Sequence, residues 1–225
     1  MYLTKIELDI RSQAVHSALA DCQRMHRMLC GLFSASRQDA KLLYRLREDG
    51  GNCSVYLYSA VPVLPNKLLP FMRLAGQRDL SAWTSSFQPG CRMGFDLITM
   101  PCKKVPRAEG NSRRRALDTE DARLNWLRRK AAQNGFSILS ATELASSDFS
   151  GSHPQQGNHM EWKAWHYRGV LEILDADAFV NALADGIGPG KAYGLGMILL
   201  ACPSLSFDWK SFKNLMIIYI LKTFA

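Results

Sequence analysis

Residues 186–196 read GIGPGKAYGLG and hold five glycines, one proline and one lysine in eleven positions. A glycine inside a helix or strand costs roughly 0.5–1 kcal/mol relative to alanine, so this glycine-rich stretch predicts a tight connection between elements. Two interpretations of the connection are open. Its backbone N–H groups suit a large anion such as phosphate, with Lys191 as a point charge. Alternatively, the stretch is a helix C-cap and a β-bulge before a final strand.

The spacing of these glycines excludes two familiar nucleotide-binding motifs. A P-loop continues from Gly-Lys into Ser or Thr, whereas Lys191 is followed by Ala192. A dinucleotide-binding fingerprint opens a βαβ unit, and no such unit follows this stretch. A small nucleotide-dependent enzyme is therefore a weak hypothesis, and no cofactor is predicted.

The rest of the chain predicts two units that repeat one topology. In the first half we predict a strand over 2–10, a helix from 12 to about 33, a hairpin of 41–47 and 53–61, a short helix starting at 65 and a strand over 91–99. In the second half we predict a helix capped by Asp118 or Thr119 that ends near 133, strands over 136–144 and 160–174, a helix from 175 to 186 and a strand over 197–202. The first half has the order β-α-β-β-α-β of one ferredoxin-like unit, and we interpret the second half as a second, decorated unit of the same kind. The sequence therefore predicts an α+β fold of two tandem ferredoxin-like domains with antiparallel sheets.

A change in composition marks the predicted boundary between the domains. Residues 101–115, PCKKVPRAEGNSRRR, contain two prolines, one glycine and six basic residues. We therefore predict a first domain over 1–104 and a second over 105–202. A tail over 203–225 follows, for which we consider packing on the domain, partner binding or an exposed aggregation-prone segment.

Charge and residue spacing narrow the class of function. The formal net charge is +8, from 28 Lys and Arg against 20 Asp and Glu. This excess favours a polyanionic partner, nucleic acid before acidic membrane. The six cysteines and five histidines lack the spacing of a zinc site. No window reaches the ~18 apolar residues of a membrane span, and the N-terminus lacks the apolar core of a signal peptide, so we expect a cytoplasmic protein.

Several segments together resemble a known family. They are MYLTKIELD at the start, M-H-R around His26 on the first helix, F-D-L…P-C-K-K, RRRAL…DARLNWLRRK and the glycine-rich stretch. With these segments the chain resembles the CasE-type CRISPR RNA endoribonucleases, the Cascade subunits that cut precursor CRISPR RNA. The resemblance extends to about residue 202, and the fold of that family is two tandem ferredoxin-like domains.

The resemblance implies a function and a mechanism. It implies binding of a CRISPR repeat stem-loop and one cut at its 3′ base, without a metal, through attack by the RNA's own 2′-OH. Such chemistry needs a proton acceptor, a proton donor and positive charge near phosphorus, and histidine suits proton transfer near neutral pH. The implied partners are the repeat RNA, mature CRISPR RNA and other Cascade subunits, with no membrane. DNA lacks the 2′-OH and should not be cut.

The resemblance assigns the catalytic role to His26. Three residues earlier, where members of the family often carry tyrosine, this chain has Gln23. Glutamine donates a hydrogen bond but does not exchange a proton usefully, so a repeat-RNA-binding subunit with weak or no catalysis is the alternative function. Supporting charge is expected from Arg24, Arg27 and Lys191, and Tyr44 is a weaker candidate acid.

The expected RNA contacts come from the glycine-rich stretch, the basic block and a strand of the second domain. They are Gly186, Gly188, Gly190, Lys191, Gly194, Gly196, Lys103, Lys104, Arg113, Arg114, Arg115, Lys163 and Arg168. A solvated linker is the alternative interpretation of the three consecutive arginines. For Trp162 and Trp165, core packing is favoured over stacking on bases.

Overall fold

The computed structural model describes residues 1–49, 51–106, 112–152 and 159–201. Within these ranges, it describes the backbone but not the side chains of residues 37, 38, 49, 149–152 and 159–162. The predicted tail over 203–225 and Cys202 lie outside the described residues, as does the side chain of Trp162.

The first unit is a four-stranded antiparallel sheet covered on one face by helices. Its elements are β1 (Tyr2–Leu8), α1 (Gln13–Leu19), α2 (Cys22–Cys30), α3 (Arg37–Ala40), β2 (Leu43–Asp49), β3 (Asn52–Ser59) and β4 (Met72–Asp79). The strand order is β2-β3-β1-β4. Alternation along β1 places Ile6 and Leu8 on the face that packs against Val15, Met25 and Leu29 of the helices.

The second unit repeats this topology. A short helix α4 (Ser81–Thr84) leads into β5 (Arg92–Thr99), β6 (Cys102–Pro106), β7 (Ser112–Ala116), α5 (Glu120–Gln133), β8 (Phe136–Ser152), β9 (His159–Ile173), α6 (Ala176–Asp185) and β10 (Ile198–Ala201). The main sheet has the order β10-β5-β9-β8. With β5 as its first strand, this is the order of the first sheet, so the prediction of two tandem ferredoxin-like units is confirmed.

The strand pairing corrects the predicted content of each unit. Residues 91–99 were expected to close the first sheet, but β5 pairs with β9 and β10 of the second sheet. The fourth strand of the first sheet is instead β4, in a segment predicted as a helix from residue 65; only Pro65–Lys67 forms a single 3-10 turn there. We therefore propose that the boundary between the units lies within 80–91 rather than at 104/105.

The predicted helix over 12–33 is also divided. It breaks at Asp21, whose side chain accepts hydrogen bonds from the backbone N–H groups of Gln23 (2.8 Å) and Arg24 (3.4 Å). An aspartate in this role is a strong helix start. A new helix, α2, therefore begins there and sets the direction of the His26 side chain.

The two units share one apolar core and one buried ion-pair cluster. Leu3, Leu43 and Tyr58 of the first sheet pack into the core built from the second unit. Beside them lies the Asp96 cluster, formed by Arg45 of β2, Asp96 of β5, and His166 and Arg168 of β9. Arg45 Nη2 lies 2.5 Å from Asp96 Oδ1, while His166 Nε2 (2.9 Å) and Arg168 Nε (2.7 Å) contact Oδ2. The carboxylate of Asp96 thus links the two sheets directly.

No helix in the described ranges is both long and apolar enough to cross a membrane.

Candidate active site

The imidazole of His26 lies where helix α2 meets the glycine-rich stretch. His26 is 6 % exposed, and its Nε2 is 3.5 Å from Cys30 Sγ, one turn further along the helix. The His26 side chain lines a cleft with a volume of about 190 Å³. The cleft is lined by His26, Lys41, Leu42, Leu43, Ala184, Asp185, Lys191 and Ala192.

The cleft brings together two residues that are far apart in the sequence. Lys191 was predicted to support His26 with its charge, and the structure places it in the lining of the same cleft as His26. Lys191 is half-buried, and this burial lowers the pKa of its ammonium group, while the carboxylate of Asp185 acts in the opposite direction. An imidazole and an ammonium group that face one cleft suit the cleavage of a phosphodiester, because this reaction needs both proton transfer and positive charge near phosphorus.

Sequence reasoning missed two charged residues of this cleft, Lys41 and Asp185. Lys41 follows α3 with φ 44°, a left-handed conformation that is uncommon outside glycine. Its Nζ lies 3.5 Å from Asp185 Oδ1 at the end of α6. Neither residue belongs to a recognisable motif, and only the folded structure shows that they lie close together.

The other predicted supporting groups lie elsewhere. Arg24 and Arg27 are exposed on α2 and do not line the cleft, and Arg24 Nε is 3.9 Å from the Asp21 carboxylate. Tyr44 is 1 % exposed, and its hydroxyl donates to the Cys22 carbonyl at 3.4 Å. Burial raises the pKa of the Tyr44 phenol far above its ordinary value, which disfavours the predicted role of this residue as an acid.

The glycine-rich stretch shapes the cleft chiefly through close packing. All five glycines have positive φ, between 73° and 86°. A Cβ at Gly194 would lie 2.9 Å from the Tyr44 ring, and one at Gly188 would lie 2.6 Å from Thr99 Oγ1. These contacts let the 3-10 turn Lys191–Tyr193 approach strand β2.

The structure reduces the number of glycines in this stretch that we expect to contact phosphate through their backbone N–H groups. The amide of Gly186 donates to Ala182 within the cap of α6, and that of Gly196 donates to Ile98. Both residues are buried, as is Gly194. The C-cap interpretation therefore holds for Gly186, and we keep only the half-buried Gly188 and Gly190 as proposed backbone contacts.

The basic block is a β-ribbon rather than a linker. Strands β6 and β7 pair antiparallel and place directly opposed residues on the same face. One face carries Lys103, Arg113 and Arg115, and the opposite face carries Lys104 and Arg114. All five side chains are exposed, and Arg115 Nη2 lies 3.7 Å from Asp118.

The two faces of this ribbon differ in how close they lie to the apolar core. The face with Lys104 and Arg114 begins at Cys102 and Ala116, which pack against the apolar core. The face with three cations, which we call the outer ribbon face, therefore turns away from the body of the protein.

The remaining predicted RNA contacts lie on β9. Lys163 is exposed, lines a groove with Ala116 of the ribbon, and lies 5.9 Å from the centroid of the Trp165 ring. Trp165 is 6 % exposed and belongs to the core, as favoured from the sequence. Arg168 is held by Asp96 at 2.7 Å, so we assign it to the Asp96 cluster rather than to the proposed RNA contacts.

Within the described ranges, no three His, Cys, Asp or Glu side chains converge as they would around a metal ion.

Comparison with known proteins places this site in a family. Residues 1–202 match the family described as CRISPR associated protein. The chain belongs to that family. The match includes His26, the ribbon and the glycine-rich stretch, so the cleft lies wholly within the family region.

Relatives within this family are similar along nearly their whole length. The chain is 27 % identical over 213 residues to the CRISPR-associated endoribonuclease Cse3 of Thermus thermophilus, covering 89 % of this chain and all of that protein. A structure of Thermus thermophilus Cse3 bound to an RNA representing a pre-cleavage complex superimposes with a TM-score of 0.77 at 26 % identity, over 89 % of this chain and 98 % of the other. A chain of a CRISPR RNA-guided surveillance complex, pre-nicking, gives a TM-score of 0.70 at 26 % identity, over 90 % of this chain and all of the other.

Proposed function

We propose that this protein is an endoribonuclease that binds the CRISPR repeat stem-loop and cuts precursor CRISPR RNA at the 3′ base of the hairpin. The observation that carries the proposal is the cleft shared by His26 and Lys191, in a chain similar over 213 residues to an endoribonuclease. Its full-length similarity to a chain of a surveillance complex supports the further proposal that the protein keeps its product and joins Cascade in the cytoplasm.

The chemistry proposed for the cleft uses the RNA as its own nucleophile. His26 accepts the proton of the 2′-OH, the 2′ oxygen bonds to phosphorus, and the bond from phosphorus to the 5′ oxygen breaks. The leaving 5′ oxygen takes a proton from solvent water and becomes a 5′-hydroxyl, and the other product carries a 2′,3′-cyclic phosphate. The ammonium group of Lys191 stabilises the negative charge that develops on the phosphoryl oxygens.

Cutting should persist in EDTA, because side chains supply the proton transfer and the positive charge in this mechanism and no divalent metal ion is needed. Repeat RNA incubated with the protein in excess EDTA and resolved on a denaturing gel should yield one cut at the 3′ base of the stem. RNA with a single 2′-deoxy substitution at that position should be bound but remain intact. Loss of cutting in EDTA, with recovery on adding Mg²⁺ or Mn²⁺ and an unchanged melting temperature, would contradict the metal-independent mechanism.

The alternative function is a repeat-RNA-binding subunit that does not cut. Gln23, at a position where members of the family often carry tyrosine, favours it. The same gel separates the two functions, since a binding-only subunit shifts repeat RNA on a native gel but leaves it intact on the denaturing one.

The outer ribbon face is the surface proposed to contact stem phosphates. Each phosphate contact to Lys or Arg adds roughly 0.7–0.9 to the slope of log affinity against log salt. Replacing Arg113 and Arg115 together by alanine should therefore flatten that slope by about one to two units. Repeat-RNA affinity measured from 50 to 300 mM salt gives the slope.

A matched double variant tests whether the geometry of the ribbon matters. Lys104→Ala with Arg114→Ala removes the same total charge from the opposite face and should change the slope less. Equal effects would indicate that both faces contact RNA. No effect from either pair would restore the interpretation of the basic block as solvated charge.

A further inference from the structure

Lys41 is an exposed residue within a short, buried stretch of chain between α3 and β2. Its neighbours Ala40, Leu42 and Leu43 are between 3 % and 7 % exposed, and the Ala40 carbonyl accepts a hydrogen bond from the Ala60 N–H at 2.9 Å. The Lys41 side chain, by contrast, is 57 % exposed. The buried residues on both sides therefore hold the backbone in place and leave the lysine side chain at the surface of the cleft.

The backbone conformation of Lys41 is unfavourable for a lysine. Its φ of 44° and ψ of 48° lie in the left-handed region, where it ends helix α3. Glycine, and less often asparagine, occupies such a position at a helix end, because a Cβ is strained there. Within the described ranges, Lys41 is the one residue other than glycine with a positive φ. Residues held in this way concentrate at functional sites, where the side chain is needed for a reason other than the turn.

The ion-pair partner of Lys41 also occupies an unfavourable position. Asp185 is the last residue of α6, where the partial negative charge of the helix end disfavours a carboxylate. Its Oδ1 lies 3.5 Å from Lys41 Nζ, and both side chains are more than half exposed. An exposed ion pair of this kind contributes little to stability. Stability therefore does not explain why these two charges meet here.

Lys41 and Asp185 line the same small cleft as His26 and Lys191. Its volume of about 190 Å³ is below the range of about 300–1,000 Å³ that is usual for ligand pockets. Groups that line so small a space reach one phosphodiester rather than separate parts of a large ligand. The Lys41–Asp185 pair is longer than the 2.7–2.9 Å of a strong charge-assisted hydrogen bond, so a phosphate that enters the cleft can replace the carboxylate as the partner of Lys41.

We propose that Lys41 is a catalytic residue whose ammonium group binds a phosphoryl oxygen of RNA in the His26 cleft, together with Lys191. Asp185 holds the ammonium group at the cleft in the absence of RNA, and phosphate displaces it. This inference rests on the endoribonuclease function proposed above. The role of Lys41 is electrostatic, and the interaction strengthens as negative charge grows on the phosphoryl oxygens in the transition state.

Replacing Lys41 by glycine separates the loss of the side chain from damage to the backbone. Lys41→Gly removes the ammonium group and supplies the residue that the left-handed conformation favours, so its melting temperature should equal or exceed that of the wild type. Single-turnover cutting of repeat RNA should nevertheless slow by about 10-fold or more. This effect is smaller than the ~10²–10³-fold loss for a donor in a water-excluded site, because Lys41 is exposed. Lys41→Arg keeps the charge and should restore most of the rate.

Two further variants test whether Lys41 acts on RNA or only through its ion pair. Asp185→Asn breaks the same pair from the other side and removes negative charge from the cleft, so it should bind 2′-deoxy repeat RNA more tightly than the wild type and should not cut more slowly. Lys5→Ala removes a lysine that pairs with Glu7 at 3.7 Å on β1, outside the cleft, and should cut at the wild-type rate. If Asp185→Asn slows cutting as much as Lys41→Gly does, the ion pair is structural and the catalytic role of Lys41 is wrong.

The outcomes separate this inference from the function on which it rests. If the wild type cuts, His26→Ala does not, and Lys41→Gly cuts like the wild type, the role of Lys41 is wrong while the proposed function stands. Should Lys41→Gly melt at a lower temperature than the wild type, Lys41→Asn repeats the test with a side chain that also tolerates this conformation. A wild-type rate in that folded variant would overturn the role. If the wild type does not cut repeat RNA, the proposed function fails first and the role of Lys41 fails with it.

Discussion

Replacing His26 by alanine should slow single-turnover cutting of repeat RNA by about 10²–10⁴-fold, the usual contribution of a placed proton-transfer group. Affinity for the stem-loop should change little, because phosphate contacts contribute most of the affinity for RNA and the exposed cations of the ribbon lie on other elements. The rate is measured with enzyme in excess over labelled RNA, and the affinity with 2′-deoxy RNA that cannot be cut.

Burial of His26 makes a second variant necessary. Because the His26 side chain is only 6 % exposed and lies beside Cys30, its truncation to alanine leaves an empty space, so a melting temperature must accompany each rate. His26→Asn fills more of that space and should cut as slowly as His26→Ala. His16→Ala, a histidine exposed on the neighbouring helix α1, should cut like the wild type. If His26→Asn is folded and cuts at the wild-type rate, another group accepts the proton.

Much of this site could be predicted because its signals are local. Histidine in RMHRM and lysine within the glycine-rich stretch stand out by composition alone. Capping residues located the helices of the second unit, since Thr119 and Asp175 each accept a backbone N–H at a helix start. Periodicity then predicted two ferredoxin-like units, and the structure confirms that fold although β4, rather than residues 91–99, completes the first sheet.

The predictions that were wrong depended on contacts between residues that are far apart in the sequence. Periodicity identifies residues 91–99 as a strand but does not say which sheet receives it, and β5 joins the second. Residues 72–79, MRLAGQRD, form an edge strand with mostly half-buried side chains. A strand of this kind lacks clear alternation, and its segment was therefore assigned to a helix.

The glycine-rich stretch shows that the roles of single residues also depend on contacts that are distant in the sequence. Its composition indicates a tight connection, but not whether the space left by each missing side chain is for a ligand or for the protein. The atoms nearest to the added Cβ positions are protein atoms, from Leu43 at Gly186 to Ile187 at Gly196. A hydrogen bond between the side chains of Gln23 and Tyr193 likewise joins two residues whose relation no local pattern reveals.

The Asp96 cluster gives the largest expected effect on stability. Asp96 is 4 % exposed and Arg45 is 7 % exposed, so Asp96→Asn keeps the shape of the side chain but leaves the Arg45 charge buried without its counter-ion. Breaking a buried pair in this way costs about 3–5 kcal/mol. Urea unfolding at pH 7 should show a loss of that size in the free energy of unfolding. Asp9→Asn, the same change in the exposed pair with Arg11, should leave stability close to that of the wild type.

The dependence of this loss on pH identifies its cause. Burial acts to raise the pKa of Asp96, but the hydrogen bond from His166 and the charge of Arg45 outweigh it and hold the pKa well below its ordinary value. The carboxylate therefore contributes its full stabilisation above the unfolded pKa of about 3.9. Below that pH the unfolded chain takes up the proton first, so the contribution declines as pH falls toward the folded pKa. The difference between wild type and Asp96→Asn should be about 1 kcal/mol smaller at pH 3 than at pH 5. A difference that does not shrink at pH 3 would show that side-chain packing, rather than the charge of Asp96, holds the two sheets together at this point.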